Sequence, residues 1–157
     1  MQRSLPVMCA AYGLMLGHPL LGQRTYDVLR VIQLLAATGH TEIHLAGKGW
    51  GALPAILAAV LSANAQQVTL KHALSSFHEL AVHEDYQWPY AAMPIGVLEH
   101  FDLPDCHHAL EVKKLSNLEP WGAEGAIRVE KGARGSRRAS LRETNPRSQA
   151  RRISAAQ

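Results

Sequence analysis

The sequence predicts an α/β domain, a parallel sheet with flanking helices, followed by a basic tail of different character. Three observations predict it. Residues 42–71 run as a short strand, a glycine-rich turn, an apolar helical stretch and a second strand. A helix-periodic segment precedes this unit. From residue 125 the chain changes to Arg, Ser, Gly, Ala and Gln with only isolated aliphatics.

In order along the chain, Leu5 to Leu16 is a mostly apolar run behind Arg3. That layout superficially matches a signal peptide, but no small-x-small cleavage site follows, and Gly17-His18-Pro19 reads as a turn. Tyr26, Val28, Leu29, Val31, Ile32, Leu34 and Leu35 recur at helical spacing, predicting a helix over 23–38 that Gly39 stops. Residues 42–46 predict a strand and 47–51 a tight turn. Residues 50–63 are almost wholly apolar, with Pro54 in the first turn, and predict a helix buried on all sides. Residues 67–71 predict the second strand. Strand, turn, buried helix and strand make a right-handed βαβ unit of a parallel sheet.

Further on, the sequence predicts a short helix over 73–83, an aromatic and proline-rich loop over 86–94 and a helical turn over 95–100. A helix over 104–114 follows, with Asp102 or Asp105 near its start, then a third strand over 115–119 that Pro120 ends.

At 157 residues, with 47% apolar and 18% charged side chains, the chain suits one folded domain. Residues 125–157 carry nine Lys/Arg against two Glu, so the formal charge of +3 leaves the first 124 residues net acidic. The expected division is a folded domain over 1–124 and a disordered basic tail over 125–157, which buries too little surface to offset the entropy of ordering. The tail's Arg137-Arg138 and Arg151-Arg152 attract polyanions by charge, but the tail has no aromatics for base stacking, so nucleic acid is not the expected partner. Cys9 and Cys106 form no disulfide framework and no C-x-x-C pair, and the compartment stays open. No run approaches the ~18 apolar residues of a membrane span, so no membrane partner is expected.

The turn Gly47-Lys48-Gly49-Trp50-Gly51 has the glycine positions of the G-x-S-x-G nucleophile elbow, where small residues flank a sharp strand-to-helix turn. Together with Tyr26-Asp27-Val28-Leu29-Arg30, Phe101-Asp102-Leu103-Pro104-Asp105-Cys106 and Lys113-Lys114-Leu115, it makes residues 12–123 similar to the central part of bacterial α/β-hydrolases of the acetyl-xylan-esterase-like branch. The resemblance implies a partial α/β-hydrolase-type parallel sheet and a small-molecule or carbohydrate ester as ligand, with no cofactor. It places Gly49 where the catalytic serine belongs, the Trp50 amide as an oxyanion donor, and Glu124 as the acid candidate. The family's histidine lies one strand further on, and no histidine follows His108. With Gly49 lacking a nucleophile, the expectation is an inactive or truncated hydrolase whose two sheet edges are open to self-association.

Other readings compete. Gly47-Lys48-Gly49-Trp50-Gly51-Ala52 also fits the dinucleotide fingerprint G-x-G-x-x-A, with Lys71 and His72 standing where the ribose-binding acid is expected. Tyr86, Trp88 and Tyr90 offer an aromatic substrate wall against the alternative of ordinary loop packing. His72, His78, His83 and His107-His108 lack the i, i+4 pairing of a helical zinc site. A non-catalytic binding or scaffold protein that keeps the βαβ core is the second functional class.

Overall fold

The computed structural model describes residues 4–125, with side chains from Val7 onward. Its elements are α1 (Ser4–Met15), α2 (Leu20–Ala37), β1 (Ile43–Lys48), α3 (Ala52–Leu61), β2 (Ala65–Lys71), α4 (Phe77–Val82), α5 (Leu103–Leu110) and β3 (Leu115–Leu118), with single 3-10 turns at Gly49–Gly51, Tyr90–Ala92, Val97–Glu99 and Glu111–Lys113. The three strands form one parallel sheet in the order β1-β2-β3, with Lys48 opposite Lys71 and Lys71 opposite Leu118. The expected parallel sheet with flanking helices is present. The expected basic tail lies outside the described residues.

The βαβ unit follows the pattern of its side chains. On β1, Ile43, Leu45 and Gly47 turn inward while His44, Ala46 and Lys48 are exposed, the two-residue alternation of a strand covered on one face. On β2, Ala65, Val68 and Leu70 are buried. Seven of the ten residues of α3 are buried, Ala52 to Ile56 without a break, so this helix is the centre of the core. Leu53, Ile56, Val68, Leu70, Leu74, Leu103 and Leu110 are all at 0% exposure.

The helix ends have identifiable stops. At the end of α2, Gly39 adopts φ +94°, its N–H bonds Ala36 O at 3.1 Å, and the His40 N–H bonds Leu35 O at 3.1 Å. These two bonds are the Schellman motif, which needs a left-handed residue after the helix. At the end of α3, Lys113 reaches across from the segment before β3, its Nζ donating to Ala59 O at 2.6 Å and Ser62 O at 2.5 Å. A cation on the last carbonyls complements the helix dipole. Burial pulls that amine's pKa below its ordinary value.

Several boundaries differ from the sequence reading for local reasons. The run near the N-terminus is a helix, α1, joined to α2 through the turn at Gly17. α2 begins at Leu20 rather than Gln23, because Pro19, at φ −58°, already sets the helix entry and Leu21 is needed in the core at 1% exposure. β1 runs on to Lys48, so Gly47 lies within the strand. The helix expected over 73–83 shrinks to α4, because Ala73 to Ser75 run alongside Trp121: the Trp121 N–H bonds Ala73 O at 2.8 Å and the Ser75 N–H bonds Trp121 O at 2.9 Å. The helix expected over 104–114 ends at Leu110 and tightens into the 3-10 turn at Glu111–Lys113. No helix among the described residues is long and apolar enough to cross a membrane.

Candidate functional site

All three strands stop at the same level. The residues just past the paired row Lys48, Lys71 and Leu118 are Gly49, His72 and Glu119, and each has left-handed backbone, with φ of +54°, +54° and +50°. Such φ values are uncommon for non-glycine residues and cluster where backbone strain serves a site. Neighbouring strands lie about 4.8 Å apart, so this row sets His72 beside the elbow and Glu119 one strand further on.

The elbow glycines are not equivalent. A Cβ on Gly47 would lie 2.7 Å from Ala52 Cα, so strand and helix approach too closely there for a side chain. Gly49 is open, with nothing within 4 Å of a Cβ, but it carries the left-handed φ. Gly51 is helical, at φ −66°, and its Cβ position is equally empty. The sharp turn thus depends on Gly47 for space and on Gly49 for conformation. The Ala52 N–H donates back to the Gly49 and Trp50 carbonyls, closing the turn. The Trp50 amide stands in this first turn, where helical N–H groups have no partner in the helix. Lys48 is exposed at the strand end.

His72 and Glu119 form a pair that the sequence reading missed. His72 Nε2 lies 2.8 Å from Glu119 Oε2, and the Lys71 amine is 3.6 Å from the same oxygen. The hydrogen bond from His72 and then the charge of Lys71 hold the Glu119 carboxyl below its ordinary value. The imidazole stacks on Trp121, with ring centroids 4.2 Å apart and planes within 8°. Its other nitrogen, Nδ1, is buried without a partner among the described residues, as is Trp50 Nε1. A general base needs a lone pair within reach of its substrate. In His72 one nitrogen is bonded to Glu119 and the other faces protein, so the pair locks β2 to β3 and is not set up to move protons. Lys71, considered as a ribose contact, is engaged with Glu119.

The other expected site residues separate. Trp88 does not join an exposed wall: it is 7% exposed, and its Nε1 donates to Gly122 O at 3.0 Å. Tyr86 and Tyr90 remain at the surface, 40% and 42% exposed. Glu124 is half-buried in the turn closed by the Gly125 N–H on Gly122 O, and among the described residues it has no basic group within ion-pair distance. The carboxylate that meets a histidine at the strand ends is Glu119, while Glu111 meets His108 at 3.5 Å on the surface after α5.

Asp102 has the densest set of bonds. Its carboxylate accepts from Ser76 Oγ at 2.5 Å, Phe77 N at 2.6 Å and Leu103 N at 2.7 Å, and its own N–H bonds Asp105 Oδ2 at 2.9 Å. One side chain therefore holds the starts of both α4 and α5. Burial acts to raise its pKa, but the bonds from Ser76, Leu103, Phe77 and His78 outweigh it, and the carboxyl falls below its ordinary value. Cys106, one turn along, is buried, and desolvation followed by the Asp105 and Asp102 charges pushes its thiol up, away from reactivity.

The chain matches no known protein-family model, no curated protein and no solved structure. Sequence reasoning found the elbow from its glycines. The His72–Glu119 pair left one faint signal, a titratable residue directly after each of two strands, which only the register of β2 on β3 turns into a contact.

Proposed function

We propose that this chain is a non-catalytic relative of the esterase-type α/β-hydrolases, close in kind to the acetyl-xylan-esterase-like branch, built on the central strands of their sheet. The observation that carries the reading is the elbow. A parallel strand runs into a buried helix through a left-handed residue with open space around it, and a glycine before it lets strand and helix touch. That is the backbone a nucleophile elbow needs, and here it presents Gly49, which has no side chain to attack an ester. The histidine nearest to it in register has Nε2 bonded to Glu119 and Nδ1 buried away from solvent, and among the described residues no histidine pairs with Glu124. The ligand class that the reading implies is an ester-bearing small molecule or carbohydrate, bound at the C-terminal ends of the strands and not turned over.

Hydrolysis of p-nitrophenyl acetate tests it. The wild-type chain should run at the buffer rate, and Gly49→Ser should restore little, because among the described residues no histidine is set to take a proton from the new hydroxyl. Turnover by the wild type above the buffer rate, abolished by His72→Ala, would show a working base at the strand ends and remove the non-catalytic reading.

A further inference from the structure

β1 is the terminal strand of the sheet. Among the described residues no strand lies beyond it, and no backbone hydrogen bond outside the β1–β2 ladder involves Ile43 to Lys48. Alternate N–H and C=O groups along its free edge are therefore available to another strand. Its exposed side chains, His44, Ala46 and Lys48, share the outer face of the sheet, and Glu42, directly before the strand, is exposed as well. Neither Glu42 nor Lys48 has an ion-pair partner among the described residues.

Symmetry restricts what can add there. When two copies pair the same edge strand, it runs antiparallel to itself about a two-fold axis perpendicular to the sheet, so the covered faces of both copies lie on one side. Residues directly opposite each other share a face, so the axis passes through a residue and not between two. With the axis at His44, Lys48 falls opposite His40; with the axis at Ala46 it falls opposite His44. With the axis at Leu45, Lys48 meets Glu42 of the other copy, and the pair occurs twice. Ile43 then faces the small Gly47, His44 faces Ala46 and Leu45 faces itself, so residues 42–48 pair throughout. The other edge offers no such match. An axis through Ser116 sets Leu115 against Asn117 and Leu118 against Lys114, and one through Asn117 sets Leu115 against Glu119. Lys114 and Glu119, at φ +51° and +50°, also turn the chain out of the ladder at both ends of β3.

We infer that this chain forms a two-fold dimer through β1, with Glu42 of each copy on Lys48 of the other and the two sheets joined into one of six strands. A lysine on an edge strand ordinarily discourages strand addition. Here the one register that opposes it with a carboxylate is also the one that pairs the whole strand, and opposite charges across a strand pair are stabilising. The helix layer adds apolar surface beside the same edge. On α2, Val28 and Leu35 pack on the cluster that contains Ile43, and Val31, which adjoins both of them on the helix, is 56% exposed, with Leu34 at 63%. The contact is isologous, so it closes as a dimer and does not propagate. It holds whether or not the strand ends bind an ester.

Sedimentation velocity of the full chain from about 1 to 100 µM tests it. The wild type should pass from monomer to dimer and stop there. Glu42→Lys and Lys48→Glu, both at exposed positions, each turn two attractive pairs into two repulsive ones and should weaken the dimer by about tenfold or more, with unchanged far-UV circular dichroism. Mixing the two single variants should give a heterodimer as tight as the wild type, because both of its charge pairs are again opposite in sign. The double variant Glu42→Lys/Lys48→Glu should likewise dimerise as the wild type does. A wild type that stays monomeric throughout, a dimer that neither single substitution weakens, or a mixture that fails to recover would each overturn the inference.

Discussion

The turn after β1 and the junction between α4 and α5 are both places where the chain changes direction under close constraint, and they are built in opposite ways. At the elbow, Gly47 and Gly49 achieve the turn by the absence of side chains, and the Trp50 indole nitrogen and His72 Nδ1 nearby have no partner among the described residues. At the α4–α5 junction, Asp102 achieves it by the presence of one, with a carboxylate that collects donors from Ser76, Phe77 and Leu103. The first region keeps a shape that chemistry once needed, on the reading proposed above. The second holds the fold together. A sequence motif alone does not say which kind it is, since both the G-x-G-x-G turn and the stretch from Phe101 to Cys106 stand out equally in the chain.

The largest effect should come from the bonded junction. Asp102→Ala removes the cap of α5 and the acceptor of Phe77 N at the start of α4, where Ser76 Oγ still accepts from Glu79 N, and should lower stability by about 2–4 kcal/mol in urea unfolding, up to twice the cost of one lost cap. A loss below about 0.5 kcal/mol would place Asp102 outside the supporting structure. The same residue gives a pH dependence. Its folded pKa lies below the ordinary carboxylate value, so the stability it supplies is present above the unfolded pKa and is lost as pH falls through the folded one. Acid unfolding of wild type and Asp102→Asn should therefore converge at the acid end of the titration and diverge above it.

At the elbow the effects should be smaller and should rank the glycines. Gly47→Ala forces a Cβ against the Ala52 backbone and should cost about 1–3 kcal/mol, the range of overpacking. Gly49→Ala meets no neighbour and should cost only the left-handed backbone, about 1–2 kcal/mol. Gly51→Ala, in helical backbone with open space, should change stability by less than about 0.5 kcal/mol or raise it slightly. Thermal unfolding of the three variants side by side reads the order directly. Equal losses at Gly47 and Gly51 would mean that the turn needs small residues on both sides.

How legible the molecule was follows the same division. The βαβ core was visible because its signals are local and repetitive: α3 is apolar at nearly every position, and Val68 and Leu70 alternate with Thr69 and Lys71. The stop at Gly39 was legible for the same reason, since caps are short-range chemistry, and the start of α5 was narrowed to Asp102 or Asp105, which turn out to be the two halves of one capping box. What could not be read was whatever depends on distant segments meeting. Glu119 reaches His72 across 47 positions of chain and Lys113 reaches Ala59 across 54. Ala73 to Ser75 gave up helix for bonds to Trp121. Trp88 looked like part of an exposed wall beside Tyr86 and Tyr90 because nothing in its own neighbourhood shows that Gly122 takes its indole N–H.

The strand order bears on how the chain acquires its fold. Because β1, β2 and β3 lie side by side in the order they are made, β1 pairs with β2 over 23 positions, Lys48 to Lys71, whereas β2 pairs with β3 over 47, Val68 to Leu115, which makes the second pairing the slower to form. The strands and helix of the βαβ unit are all present once Lys71 has been synthesised, but α3 is fully covered only when α5 packs against it and Lys113 reaches its last carbonyls. Docking of Leu115–Leu118, with the His72–Glu119 clasp that fastens it, then becomes a late and separable step. Backbone amides in that strand should accordingly open and exchange with solvent more readily than those shared by β1 and β2.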